Sequence, residues 1–355
     1  PNRAQLVVTS FVFGMGLGTL FAGPLSDAFG RKAMILAGST LYIGAAIACF
    51  FANSLDLLLV ARVVQGFGAA FPRIVSIALM RDMFKGREMA KVMSFVMMVF
   101  ALVPAVAPLM GQAVISVLSW QAIFLVYIGF AAITMIWLWL RQPETLAVEA
   151  RRPLAVGKLI SATREVLSHR IVLISIATQT LTLGMLFAAL SSMEGIFDQV
   201  FDRAESFPLW FAVIAVASMS GSILNAKLVM KLGMRVMVKA TYAGLLAATL
   251  IYLAAAATGL MPPTLAFAAH ILWSIVLFAV MGLTLGNLSA LAMEPLGHIA
   301  GLAASVTSAI ATVASVLLAV PVGLMFNGTQ LPLLIGVAVY GALALVLSMG
   351  LKTRI

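Results

Sequence analysis

Two arginines and a glutamine sit where charge is expensive. Arg62, Gln65 and Arg73 fall inside the run LLLVARVVQGFGAAFPRIVSIALMRD, which is apolar enough and long enough to cross a bilayer. A guanidinium several turns inside such a run must face a bundle interior and find a partner there. It then either lines a substrate or ion path, or is bonded structurally to carbonyls of a neighbouring helix. The sequence leaves both readings open. Arg73 lies 11 residues beyond Arg62. At 3.6 residues per turn the two share an azimuth to within about 20° and stand about 16 Å apart. Pro72, just before Arg73, bends the helix or frees a carbonyl.

All 12 acids fall in or beside the segments between apolar runs, and none sits clearly at the middle of one. Glu194 is the best-placed carboxylate for a path through the membrane, provided its helix extends past Ser192. The competing reading is an exposed helix-end acid. His270, one or two turns into its run, titrates near neutrality and is a candidate proton carrier, or simply packs near an interface. Gln179, Thr180, Asn225 and Asn287 are the remaining polar candidates inside runs, and the 21 Phe and 21 Met would suit a plastic apolar pocket. His169 and His298 fall in loops without metal-ligand partners at useful spacing, and the single Cys49 excludes a disulfide framework. Neither a metal site nor a nucleotide site nor a catalytic triad is expected, so the chain reads as no enzyme and as needing no cofactor.

The elements that must hold these residues are membrane helices. Hydrophobic residues make up 63% of the 355 and charged residues 10%, far from soluble averages. The mean hydropathy is +1.12. Apolar runs occur at roughly 5–25, 33–53, 56–80, 90–115, 120–140, 170–192, 207–230, 236–258, 264–293, 300–325 and 330–351. They predict eleven spanning helices, because backbone in hydrocarbon must satisfy its own hydrogen bonds and the runs are too long for barrel strands. Between the first two runs, Gly23 to Lys32 reads GPLSDAFGRK. The expectation is a tight surface turn, with Gly23 allowing close helix approach and Asp27 capping or pairing. Gly30 would permit the reversal, and Arg31 and Lys32 would sit at the headgroups. A plain solvated turn is the alternative.

The segment 141–169 interrupts the runs after the fifth. Its basic residues alternate with Leu154, Leu159, Ile160, Val166 and Leu167, which fits a linker with a short surface helix or a plain linker. With the 23–32 turn on the cytoplasmic side, 18 of the 22 Lys and Arg residues fall on that side. The net charge of +10 is thus explained by membrane topology and does not call for nucleic acid. A faded copy of the turn, AKLVMKLGMR at Ala226–Arg235, lies 203 residues on, with Met230 where Asp27 stood. Two related halves follow: 1–140, the linker 141–169, and 170–355.

GPLSDAFGRK matches all six specified positions of G-x-L-x-D-x-x-G-R-K, the loop between helices two and three of the major facilitator superfamily. RVVQGFGA resembles its helix-four pattern R-x-x-Q-G-x-G-A. ALVPAVAPLMGQA, through Pro104, Pro108 and Gly111, is similar to the antiporter helix-five motif, with Val103, Ala107 and Gln112 where glycines are usual. With the loop MEPLGHIAG at 293–301, the chain looks like the Bcr/CflA branch of drug:proton antiporters.

The resemblance implies an all-α membrane protein of two pseudo-symmetric six-helix bundles, with eleven of twelve helices present and the first, before Asn2, missing. It also implies proton-driven efflux of a small-molecule substrate by a monomer in the bacterial inner membrane. Arg62 would lie near the substrate or proton path. Gly23, Asp27, Gly30, Arg31, Lys32, Pro104, Pro108 and Gly111 would serve the conformational switch. Two other functions stay open. One is exchange or export of a small organic anion, favoured by arginines without a visible countercharge. The other is a receptor or partner protein that no longer transports.

Overall fold

The computed structural model describes residues 5–84, 86–151, 156–296 and 299–351. Among these no strand occurs. Five long helices come first: α1 (Gln5–Phe29), α2 (Arg31–Phe50), α3 (Leu55–Met83), α4 (Gly86–Ile115) and α5 (Ala122–Arg141). After the connecting helix α6 (Val156–Val166) come α7 (Arg170–Gln199), α8 (Phe207–Leu232), α9 (Met234–Thr258), α10 (Pro263–Met293), α11 (Ala300–Leu324) and α12 (Leu331–Met349). Ten of the described helices are long and apolar enough to cross a membrane. They and the 30-residue α4, whose described apolar portion is Val106–Ile115, occupy the places of the eleven apolar runs.

The 23–32 stretch is not a loop. α1 continues through Pro24, Ser26 and Asp27 to Phe29, and only Gly30 interrupts the helical path before α2. Charge did not require unwinding. Ser26 is buried and returns its hydroxyl to the Gly23 carbonyl at 2.8 Å, while Asp27 emerges at the helix end. Leu25 packs beside a cluster formed by Ala22, Ile35, Phe71, Val75 and Leu79, so unwinding here would forfeit core contacts. Gly30 makes the reversal with φ 105° and ψ 154°, a conformation that residues bearing a Cβ rarely adopt. The faded copy does the same: Gly233, with φ 80° and ψ 153°, alone separates α8 from α9. The repeat read in the sequence is therefore a repeat of backbone geometry.

Small residues set the helix spacings in the first half, as expected where hydrocarbon offers no hydrophobic drive for association. A Cβ on Gly14 would lie 1.9 Å from the Val63 carbonyl oxygen, and one on Gly66 would lie 1.9 Å from that of Phe11, so α1 and α3 touch backbone to backbone. On the other side of α3, Gly68 meets Gly38 and Tyr42 of α2. The glycines of the R-x-x-Q-G-x-G-A stretch thus seat two different helices. The second half has a larger apolar core, from Met185, Tyr242, Leu245, Leu277, Leu288 and Leu334 of α7, α9, α10 and α12.

The halves meet where α1 lies along α11 and α4 along α8. Gly16 abuts Thr312 and Val313, and Gln112 donates to the Glu205 carbonyl at 3.2 Å. At Gly23 the nearest α11 atom is the Ser305 hydroxyl, 3.6 Å from a would-be Cβ, so a methyl group fits there and close approach does not require this glycine.

Candidate functional site

At the Gly30 end of the bundle, Arg31 is the hub of a charged clasp. Its Nη1 donates to Asp27 Oδ1 and, at 2.7 Å, to Ser26 Oγ; its Nε donates to Asp82 Oδ2 at 3.1 Å from the last turn of α3. The side chain is only 12% exposed, so Arg31 turns into the protein rather than to headgroups, because two carboxylates and a hydroxyl converge there. Lys32 donates to the Trp139 carbonyl of α5 at 2.8 Å.

The chain beyond α5 completes the clasp. Glu144 follows Pro143, which ends the helical run, and accepts the backbone N–H of Arg31 at 2.8 Å and of Lys32 at 3.1 Å. It also accepts from the Thr145 and Leu146 amides. Burial raises the Glu144 carboxyl, but the amides of Leu146, Arg31, Ala33 and Thr145 outweigh it and hold the group below the usual carboxylate range. This acid caps the N-terminus of α2 from the segment that follows α5. The second half carries a simpler version, Arg235 Nη2 to Glu294 Oε2 at 2.6 Å, again joining the start of one helix to the end of the next. Met230, at the position of Asp27, is 89% exposed and has no charge to offer.

Within the first half, Arg62 is half-buried and bonded to neutral groups. It donates to the Val7 carbonyl at 3.2 Å and to Gln65 Oε1 at 2.8 Å, and stacks 4.5 Å from the Phe11 ring centroid. Gln65 is fully buried; its Oε1 accepts from Cys49 Sγ at 3.9 Å and its Nε2 is unpartnered. Arg73 also leans on α1, with Nη1 3.5 Å from Met15 Sδ, but it is exposed. The two arginines share the α1-facing side, as their spacing predicts, yet only Arg62 is enclosed. Among the described residues no carboxylate pairs with either.

The second half has its own polar interior. Gln179 of α7 is buried, accepts from Ser289 of α10 at 3.4 Å and keeps Nε2 unpartnered. Asn287 donates to Asn225 at 2.7 Å, and Thr182 shares a 2.5 Å bond with Tyr242. Tyr242 was not singled out by sequence, because a lone tyrosine in an apolar run carries no motif.

α7 does run past Ser192, to Gln199, and leaves Glu194 exposed on its last turns. His270 is 0% exposed, with the Phe197, Phe201, Tyr252 and Trp273 rings around it at 5.2–6.1 Å and both ring nitrogens unpartnered. Pro104 and Pro108 lie within α4, which stays helical across both, and Gly111 has open space around it. His169 precedes α7; His298 lies outside the described residues. No group of His, Cys, Asp or Glu suited to a metal occurs among the described residues.

A family model described as Major Facilitator Superfamily matches residues 1–320. The chain is 32% identical over 242 residues to the "Bicyclomycin resistance protein homolog" of Haemophilus influenzae, covering 67% of this chain and 60% of that protein. It is 35% identical over 125 residues to "Multidrug resistance protein MdtL" of Shigella flexneri, covering 35% of this chain and 32% of that one. The chain thus spans at most about 60% of the length of these curated relatives. Among solved structures, the E. coli xylose transporter XylE in an inward-open conformation superposes with TM-score 0.70 at 15% identity, over 99% of this chain and 85% of that one. The nucleoside transporter NupG does so with TM-score 0.75 at 11% identity, over 98% and 91%. At such identities these two speak for the fold alone.

Proposed function

The chain belongs to the major facilitator superfamily, and from that premise we propose that it exports drugs or other small amphipathic molecules across a bacterial inner membrane in exchange for protons. The observation that carries this reading is the similarity to multidrug and bicyclomycin resistance proteins in a chain whose interior holds an arginine bonded only to neutral groups. Alternating access would come from rocking of the two halves at the α1/α11 and α4/α8 contacts. The clasp around Arg31, which ties α1, α2 and α3 of the first half together, would keep the Gly30 end of that half in shape as it rocks.

Substrate would be met by Arg62 and Gln65 of α3 from the first half and by Gln179 of α7 from the second. Gln65 and Gln179 each keep a buried amide nitrogen unpartnered, a cost that a bound acceptor would relieve. The Gly30 end is assigned to the cytoplasm on the strength of its Lys and Arg excess. Glu194 would be the proton-binding carboxylate among the described residues, near the opposite end.

The test is uptake of a fluorescent cationic drug into proteoliposomes under an imposed pH gradient. Uptake that collapses with the gradient supports proton exchange; uptake indifferent to it overturns the reading. A second reading, exchange of a small organic anion, is favoured by the absence of carboxylate partners for Arg62 and Arg73 among the described residues. Competition by anionic rather than cationic compounds in the same assay would decide for it.

A further inference from the structure

A cavity of about 670 Å³ lies against the Gly30 half of the bundle, and each part of the chain supplies one of its walls. Leu20 and Phe21 come from α1, Val306 and Ile310 from α11, and Ile160 and Leu167 from α6 and its end. Its size is within the ~300–1,000 Å³ typical of small-ligand sites. The walls are hydrocarbon. Arg164 is the one charged residue lining the cavity among the described residues, and Ser168 lines it too.

The position of α6 explains why the space exists. Its buried Val166 docks onto Val172, Ile176, Leu296 and Val306 of the second half. That contact anchors one end of α6 and leaves Ile160, 64% exposed, overhanging the gap toward α1. An amphipathic helix held this way would lie in the interfacial plane, where an acyl chain can enter beneath it.

We propose that this cavity binds one anionic phospholipid of the leaflet at the Gly30 end, its acyl chain between α1 and α11 and its headgroup on Arg164. The charge selects the class. A cationic amphiphile would meet a like charge, a zwitterionic lipid would gain little, and an anionic headgroup finds a guanidinium with no acid among the described lining residues. Because its walls belong to both halves and to the segment connecting them, the lipid would resist their relative displacement. The site is independent of what the protein carries, so its test and that of the transport reading fail separately.

The full chain is placed in nanodiscs with photoactivatable phosphatidylglycerol or phosphatidylcholine, and adducts are mapped by peptide mass spectrometry. Phosphatidylglycerol should label the segments around Leu20–Phe21 and Val306–Ile310. Arg164→Gln should lower that yield about fivefold, the effect of one basic side chain at an anionic surface, with the phosphatidylcholine yield unchanged. Ile160→Trp, which fills the cavity, should lower both. Labelling around Phe130, 72% exposed on α5, gives the bulk-lipid reference. Equal labelling by the two lipids, indifference to Arg164→Gln, or displacement by added chloramphenicol would each overturn the proposal. As a second measurement, phosphatidylglycerol should raise Tm of the detergent-solubilised protein more than phosphatidylcholine does; an equal rise also overturns it.

Discussion

Glu144 accepts the backbone amide of Arg31 at 2.8 Å across 113 residues of chain, and so ties the end of α5 to the start of α2. Glu144→Gln keeps the shape and removes the charge, and should cost about 1 kcal/mol, the usual worth of a lost cap. Folding holds this carboxyl below its ordinary range. Its contribution is therefore complete at neutral pH and drains away as pH falls below about 4.3 toward the lower folded value. Thermal unfolding of wild type and variant between pH 7 and pH 3 checks this: the difference between them should shrink as the pH drops.

Arg31 joins Asp27 and Asp82, which belong to different helices. Asp27→Asn and Asp82→Asn should lower turnover more than substrate affinity, because neither acid is placed near the interior arginine. Equilibrium drug binding measured beside initial transport rates separates the two effects. A pure loss of affinity would contradict the clasp as a conformational device.

Arg62 has the Val7 carbonyl, Gln65 and the Phe11 ring as partners, all uncharged. Arg62→Ala should reduce transport to the background of empty vesicles while membrane expression stays at the wild-type level. Retained transport would assign this arginine to structure alone.

Gly66 and Gly111 both fall in motif-like stretches but differ in surroundings. Gly66→Ala would place a methyl group 1.9 Å from the Phe11 carbonyl oxygen, and should cost about 1–3 kcal/mol or more as α1 is pushed off α3. Gly111→Ala meets nothing within 4 Å and should be neutral or gain up to about 1 kcal/mol of helix propensity. Unfolding midpoints in detergent distinguish the two outcomes.

The helices were legible because hydrocarbon imposes length and apolarity on each of them. The halves were legible because Gly30 and Gly233 recur with their surroundings. What the sequence concealed are relationships with no local signature. Asp27 sits on a continuous helix rather than in a turn, since hydropathy cannot tell a charged helix end from a loop. Glu144 acts on amides more than a hundred residues away, and amides leave no mark in a sequence. Nothing near His270 in the sequence shows that the rings of Phe197, Phe201 and Tyr252 join Trp273 around it. Glu294 lay in a stretch noted for resemblance, but its partner Arg235 becomes evident only once α9 and α10 stand side by side.

A turn made of one residue stores no slack. With Gly30 alone between α1 and α2, and Gly233 alone between α8 and α9, the last turn of one helix fixes where the next begins. A shift of the end of α1 along α11 would carry the start of α2 with it, and a shift of the end of α8 along α4 would carry the start of α9.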